Sequence, residues 1–411
     1  MRQTATPIPS PVLSRDGWLL LATGGVRGFA YGFLSVVLGL YLAELGLEAA
    51  AIGALFTVAL AGGAGMTVLL TAVADRWGRR RVLCGGALLM ALAGATFALT
   101  DQVILLAVAA ALGTVSPSGK EVGPFLAVEQ AILPQTTADE RRTGLFATYN
   151  LVSALAGAVG PLAVSGPLLL GLAPLDAYRL LLWAYAACAL LLLGLYQCLS
   201  PASEAPPAGR RPGIGVRRSR GVVARLAALF ALDAFAGGFV VQSLVAYWFH
   251  LRYAVDPAAL GAIFFGTNLL AALSFLAAAP LARRLGLLQT MVYTHLPSNV
   301  LLLLVPLMPG LEGAVAMLLA RHLLSQLDVP TRQSYTMAII DPGERAAAAG
   351  VLSVARNAAA AVAPALAGPT LALPALGLPF LVAGGLKIVY DLTILALFRH
   401  VRPPEEMGRH A

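Results

Sequence analysis

Six basic and five acidic side chains fall inside stretches of this sequence that are otherwise apolar: Arg27, Lys120, Arg321, Arg332, Arg356 and Lys387 against Glu121, Glu129, Asp233, Asp328 and Asp391. A charge at a bilayer centre costs at least about 2.5 kcal/mol. Each should therefore face protein or water, and each should have a partner. The near balance of signs favours pairing over a field of one sign. Asp328 with Arg332, and Lys387 with Asp391, stand four residues apart and are expected to pair along their own helices. Periodicity gathers other groups on single faces. Thr23, Arg27, Tyr31 and Ser35 form one stripe, and Arg321, Ser325, Asp328, Arg332 and Tyr335 form another. Glu121, Phe125 and Glu129 share a side of a helix that Pro117 and Pro124 should bend. A carboxylate held in such a place can take a proton from one side of a membrane and lose it to the other. Glu129 and Asp233 are the first candidates for that role, with Glu121 and Asp328 behind them.

Asn268, Asn357 and the pair His295 and Asn299 are further polar groups within apolar runs. For His295 a hydrogen-bonded packing role is the expectation. Phe29, Tyr31, Phe125, Phe235, Tyr247 and Trp248 are candidates to line a cavity, with packing as the default.

Twelve apolar runs must position these groups, near 17–42, 50–74, 82–99, 102–133, 143–171, 178–199, 222–250, 257–281, 287–308, 312–338, 346–373 and 376–398. The chain has 411 residues, of which 59% are apolar and 12% charged, with a mean hydropathy of +0.81. Soluble domains carry about 25% charged residues, so a water-soluble globule is excluded. Disorder and collagen are excluded as well. A spanning helix needs roughly 20 apolar residues, and the length accommodates twelve. Cys84, Cys188 and Cys198 have neither a disulfide nor a zinc spacing, so no metal is expected. No cleavable signal peptide is expected, because the first run, from Trp18 to Leu42, is too long.

Residues 200–221 hold four Pro, four Gly and five Arg near the midpoint of the chain. They read as a solvated linker between a half at 1–199 and a half at 222–411. If the N-terminus is cytoplasmic, that side carries 20 of the 28 basic residues, including Arg2, Arg141 and Arg402, while the opposite loops carry Arg179 and Arg252. The positive-inside rule then places both termini and the linker in the cytoplasm. The net charge of +8 lies beside the spans, where anionic lipid attracts it, and no nucleic-acid partner is expected. Four landmarks recur between the halves: Arg27-Gly28-Phe29 with Asp233-Ala234-Phe235, Arg76 with Arg284, Glu140-Arg141 with Glu344-Arg345, and Pro161 with Pro364. Glu129-Gln130 likewise matches Arg332-Gln333. This alignment inverts charge: the first half is basic in span one and acidic in span four, the second acidic in span seven and basic in span ten. Arg27 is therefore expected to face Glu129, and Asp233 to face Arg332; the competing arrangements pair Arg27 with Asp233 across the halves, or leave Arg332 to Asp328 on its own helix.

The segment Asp75-Arg76-Trp77-Gly78-Arg79-Arg80 after the second span resembles the G-x-x-x-D-R-x-G-R-R signature of the major facilitator superfamily, with Thr71 where the leading glycine usually stands. The chain resembles that superfamily over essentially its whole length. Gly157, Gly160 and Pro161 in the fifth span are similar to the glycine-proline motif of its drug:proton antiporters. The fourth span lacks the early arginine of many such exporters. The resemblance implies an all-α membrane fold of twelve helices in two six-helix bundles related by a pseudo-twofold axis. Helices one, four, seven and ten would surround a cavity, and the twelfth would lie away from it. It implies a secondary transporter working by alternating access, with Asp75, Arg76, Gly78, Arg79 and Arg80 as a conformational latch. On this reading the substrate and proton path comprises Arg27, Tyr31, Glu121, Glu129, Asp233, Asp328, Arg332, Arg321, Arg356 and Asn357.

The expected protein is thus a monomeric carrier of the inner or plasma membrane. It moves a small solute and requires no cofactor. A proton-coupled exporter is the leading reading; an uptake symporter or facilitator for a small organic anion is the alternative. A Walker loop, H-E-x-x-H and G-x-S-x-G are all absent, which argues against ATP-driven transport and against an intramembrane enzyme. A non-transporting sensor is the remaining class.

Overall fold

The computed structural model describes residues 13–121, 123–137, 142–204 and 216–401. Arg2, Glu140, Arg141, Arg210, Arg211, Arg402 and Arg409 lie outside the described residues. The first six crossings are α1 (Arg15–Glu44), α2 (Ala49–Trp77), α3 (Arg79–Leu99), the pair α4 (Val103–Leu112) and α5 (Phe125–Ile132), α6 (Arg142–Val159) with α7 (Ser165–Leu169), and α8 (Pro174–Gln197). The next six are α9 (Arg220–Gly238) with α10 (Gln242–Tyr253), α11 (Pro257–Leu285), α12 (Leu287–Leu304), α13 (Leu311–Ser325) with α14 (Asp328–Ile339), α15 (Arg345–Thr370) and α16 (Leu378–Phe398). Among the described residues, ten helical stretches are long and apolar enough to cross a membrane; crossings four and ten are each assembled from two shorter helices. Large apolar side chains such as Leu92, Ile104, Leu190 and Leu276 stand exposed on the outside, as lipid-facing residues must.

Local chemistry explains the ends. Ser14 caps α1 by accepting from the Gly17 amide, and Asp256 caps α11 just before Pro257. The turn between α2 and α3 rests on Gly78 at φ +100°, and the turn between α11 and α12 on Gly286 at φ +94°. Only glycine takes that conformation without strain. The same reverse turn at an offset of 208 extends the internal duplication.

The fourth crossing departs from the continuous bent helix expected over 102–133. Its helix stops at Leu112 and resumes at Phe125. Between them Thr114, Gly119 and Gly123 have positive φ, and Pro117 and Pro124 lack the N–H a helix needs. Backbone of this kind is tolerated at membrane depth only inside protein or beside a cavity. Its carbonyls are satisfied accordingly: Pro117 accepts from the Ser243 amide at 3.0 Å, Lys120 from Ser116 Oγ at 2.6 Å, and Thr114 from Tyr185 Oη at 3.2 Å. Crossing seven breaks at 239–241 and crossing ten at 326–327. Three of the four crossings expected around the cavity are therefore interrupted.

The side carrying the N-terminus and the linker is here the linker side, and the opposite one the far side. The halves meet closely toward the far side. Ser35 on α1 accepts from Gln242 Nε2 at 2.8 Å through its hydroxyl and from Ser243 Oγ at 2.7 Å through its carbonyl. Thr57 on α2 accepts from the Ala365 amide of α15 at 2.9 Å. A Cβ added to Gly53 would stand 2.2 Å from the Pro364 carbonyl oxygen, and one added to Gly261 would stand 2.5 Å from the Pro161 carbonyl oxygen. These are one contact made twice, once by each half upon the other. Gly65 on α2 and Gly350 on α15, nearer the linker side, would meet nothing within 4 Å.

Candidate functional site

The first half builds its site around a fully buried guanidinium. Arg27 on α1 forms a two-pronged pair with Glu129 on α5, Nη1 to Oε1 at 2.6 Å and Nη2 to Oε2 at 2.8 Å. Its Nε lies 3.1 Å from both oxygens of Glu121. The Phe125 ring sits beneath the guanidinium at 5.1 Å. Glu129 also accepts from Thr23 at 2.7 Å, Tyr149 at 2.5 Å and Tyr196 at 2.7 Å. Both tyrosine hydroxyls accept in turn from Arg27. Such saturation is what a buried ion pair requires. Glu129 is thus sealed as an acceptor, whereas the Glu121 side chain keeps 17% of its surface exposed. Tyr149 on α6 and Tyr196 on α8 escaped the sequence reading; the available signal was a phenol within an apolar run, whose hydroxyl must find a partner.

The second half is organised around Asp233 on α9. Its Oδ1 accepts from Lys387 Nζ at 2.5 Å, and its Oδ2 from Arg332 Nη1 at 3.1 Å, with Arg356 Nη1 further off at 3.6 Å. Asp328 shares Arg332 at 3.2 Å. Arg332 and Arg356 both lie over the Phe230 ring. The expected pairing of Lys387 with Asp391 is corrected here. Lys387 reaches across to α9, and Asp391 instead binds His295 Nδ1 at 2.8 Å and Asn299 Nδ2 at 2.8 Å, both on α12. Pairing within one helix lost to pairing between helices because Lys387 meets an otherwise costly buried carboxylate on its neighbour. The twelfth crossing therefore contributes to the charged network.

Both charge-inverted pairs, Arg27 with Glu129 and Asp233 with Arg332, are in direct contact. Three cations are left less committed. Lys120, on the interrupted backbone of crossing four, is exposed, and no described carboxylate oxygen lies within 4 Å of it or of Arg321. Lys120 lies within electrostatic reach of Lys387, Arg356 and Arg321 in the other half, and of the carboxylate of Asp328 there. The Arg321 Nε and the Arg356 Nη1 have no hydrogen-bond partner. Asn357, next to Arg356, is exposed.

Other expected cavity residues lie elsewhere. Tyr31 is buried beside Tyr185, and Trp248 is fully buried, donating to the Pro374 carbonyl at 2.9 Å. Phe235 packs edge-on against Phe239. Tyr335, though in register with the charged stripe of crossing ten, donates to the Val401 carbonyl at the linker end. A cavity of about 330 Å³ on the far rim is lined by Leu40, Glu44, Leu168, Tyr178, Tyr247 and His250 among others. None of the described span charges lines it.

At the linker side, Asp75 pairs with Arg79 Nε at 2.9 Å while remaining two-thirds exposed, and Arg79 Nη1 donates to the Ala131 carbonyl at 3.2 Å. Arg80 donates to the Leu199 carbonyl at 3.3 Å, and Arg76 is exposed. The Arg79 amide donates to Glu204 Oε2 at 2.6 Å, an acidic cap on α3 taken from the linker. Glu204 was not expected, since its neighbourhood reads as solvated. All these partners belong to the first half or to the start of the linker. In the glycine-proline segment, a Cβ on Gly160 would stand 2.3 Å from the Phe29 carbonyl oxygen, and one on Gly28 would stand 2.3 Å from that of Ser153; Gly157 has ordinary room. Close packing of α1 on α6, and of Pro161 on Gly261, accounts for these residues.

Comparison with known proteins agrees with this architecture. The family model described as Major Facilitator Superfamily matches residues 20–325. An uncharacterized membrane protein of Saccharomyces cerevisiae, YJR124C, is 28% identical over 436 residues, covering 97% of each chain. The solved nucleoside transporter NupG superposes with a TM-score of 0.72 at 15% identity, covering 94% of this chain and 99% of that one. A D-xylose-proton symporter gives 0.70 at 13% identity, covering 95% and 99%.

Proposed function

Since the chain belongs to the major facilitator superfamily, and is a secondary transporter rather than an enzyme, we propose that it carries a small anionic solute by alternating access through the space between its halves. The observation that carries this reading is the surplus of cations. Arg27 and Arg332 are engaged by carboxylates, whereas Lys120 and Arg321 are not, and Arg356 is held only loosely. Lys120 comes from the first half, Arg321 and Arg356 from the second. An anion bound among them would draw the halves together, which is what an occluded state needs. The anion replaces the missing carboxylate and relieves repulsion among three positive groups. Tight contacts toward the far side and open glycines nearer the linker side support a conformation open to the linker side, the cytoplasmic one by the basic-residue bias. The chain acts as a monomer in the cell membrane on this reading. Export has no separate support from the glycine-proline segment, whose residues packing explains.

Counterflow in proteoliposomes tests the proposal, with labelled phosphate, lactate, citrate and benzoate beside a nucleoside and xylose. Transport of at least one anion is expected. Lys120→Gln and Arg321→Gln should each weaken its half-saturation about ten- to a hundred-fold, the worth of one charge-assisted hydrogen bond at about 1.5–3 kcal/mol. Transport confined to the neutral solutes and unchanged in both variants would refute it.

A further inference from the structure

Among the five carboxylates of the spans, four are matched by an arginine or a lysine: Glu121 and Glu129 by Arg27, Asp233 by Lys387 and Arg332, and Asp328 by Arg332. Asp391 differs. Among the described residues its one ion-pair partner is the imidazole of His295. Arginine and lysine carry their charge at every physiological pH, but an imidazole carries charge only when it holds a second proton. The charge balance at Asp391 is therefore the one in this network that a single proton can set.

We propose that His295 and Asp391 together form the proton-binding site of the carrier. It lies on crossings nine and twelve, outside the four crossings expected to line the cavity. The geometry suits both protonation states. His295 Nδ1 lies 2.8 Å from Asp391 Oδ1 and 3.1 Å from Asn299 Nδ2; in the tautomer with Nδ1–H donated to Asp391, the basic atom is Nε2, which faces Asp233 Oδ1 at 3.9 Å. A proton taken from water forms the Nε2–H bond and leaves hydroxide or a deprotonated buffer behind. The resulting imidazolium lies between two carboxylates. Asn299 also fits either state. Its amide now donates to Asp391 Oδ2, while its own Oδ1 is buried without a partner. By turning over, the same amide can accept from a protonated carboxyl group.

The groups facing His295 are few. From α16 come Asp391, Lys387 and Tyr390, the last edge-on at 5.9 Å. From α9 comes Asp233, which in turn holds Arg332 and, through it, Asp328 of α14. From α13 comes Arg321, touching α12 by its backbone carbonyl on Ser298, with His322 turned back to the Leu318 carbonyl. The charges of α11, Arg283 and Arg284, lie in its last turn. The exposed end of this cluster is Arg356, whose side chain is 31% exposed and lies 3.6 Å from Asp233.

This placement couples the proton to the solute, a step that rests on the anionic-solute reading above. Imidazolium at His295 adds a further cation beside Asp233. The most weakly held partner of Asp233 is Arg356 at 3.6 Å, against 3.1 Å for Arg332 and 2.5 Å for Lys387. Arg356 is released toward the central space, where an anion takes it. One proton and one anionic group then travel together.

The test is an NMR titration of the purified full-length protein labelled with nitrogen-15 at its five histidines. Over the pH range in which the protein stays folded, the resonance lost in His295→Gln should report a change of imidazole charge. Asp391→Asn should lower its proton affinity about tenfold or more, a drop of about one pH unit. Should Asp391→Asn fail to fold, the wild-type and His295→Gln spectra still decide. A His295 resonance that keeps one protonation state throughout overturns the proposal, even if an anion is transported. If none of the panel anions is transported but His295 titrates as stated, the anion reading falls and the proton site stands. Where an anion is transported, a pH dependence present in the wild type and lost in His295→Gln supports the coupling; one retained in that variant overturns it.

Discussion

A single methyl group added at Gly53 or Gly261 should push the carrier out of the conformation described above. The new Cβ would stand 2.2 Å from the Pro364 carbonyl oxygen in the first case and 2.5 Å from the Pro161 carbonyl oxygen in the second. Ordinary contact begins near 3.4 Å, so the helices must part by roughly 1.2 Å and 0.9 Å to restore normal van der Waals separation. Neither obstacle is a side chain that could rotate away. Overpacking of this kind costs about 1–3 kcal/mol, and it falls on the conformation in which the halves touch toward the far side. If the opposite conformation parts them there, the equilibrium shifts about 5- to 150-fold toward it. The two contacts lie on separate helix pairs, so Gly53→Ala with Gly261→Ala should add, giving about 2–6 kcal/mol. The assay is a distance measurement between spin labels at Leu47→Cys and Leu373→Cys, in a background with Cys84, Cys188 and Cys198 replaced by serine. A longer-distance population should grow in each alanine variant and dominate in the double variant. Gly65→Ala and Gly350→Ala, on α2 and α15 with nothing within 4 Å, should leave the distances unchanged. Distances that stay at wild-type values in the double variant would refute the reasoning.

Glu129→Gln should destabilise the purified protein by about 3–5 kcal/mol, because it strips charge from the partner of a buried guanidinium. Tyr196→Phe should cost only about 1 kcal/mol, so in thermal unfolding the first variant should melt well below the second. Glu344 accepts from the backbone amides of Ser219, Arg218 and Arg217 at the start of α9, and these bonds hold its carboxyl down at about 2 from an ordinary 4.5. A lowered value means that the cap is fully present above pH 4.5 and is lost as the pH falls from there toward 2. Hydrogen exchange at 217–219, corrected for its intrinsic rate, should therefore accelerate on acidification below 4.5, and Glu344→Gln should abolish that dependence.

The sequence foretold one partner of Arg27 and one of Asp233, because a duplicated chain places equivalent positions in equivalent packing; it did not foretell Glu121 on Arg27, or Lys387 and Arg356 on Asp233. It misjudged Asp391 for an equally physical reason. A spacing of four residues identifies neighbours on one helix, but it says nothing of what the adjacent helix presents, and α9 presents the more demanding carboxylate. The interruption of crossing four was half visible. Pro117 and Pro124 marked a disturbance, and Gly119 and Gly123 marked where positive φ becomes affordable, yet hydropathy alone continued the helix through them. Glu121 and Glu129 consequently meet Arg27 without sharing a helical face. Glu204 stayed hidden because its partners are backbone amides some 125 residues away, and composition records no such geometry.

The clasps at the two ends of the linker bear on how the halves are joined. Ser200 is bound through its amide and hydroxyl to Asp16, and Glu204 to the start of α3, so the first stretch moves with the first half. Arg217, Arg218 and Ser219 are bound to Glu344, so the last stretch moves with the second half. Between the clasps, from Glu204 to Arg217, the covalent connection can span at most about 45 Å. The service of this connection is stoichiometric: it supplies one second half to every first half at high local concentration. The halves should accordingly behave as two obligate subunits that happen to be translated together, and co-expression as separate polypeptides divided within 205–216 should still assemble a carrier.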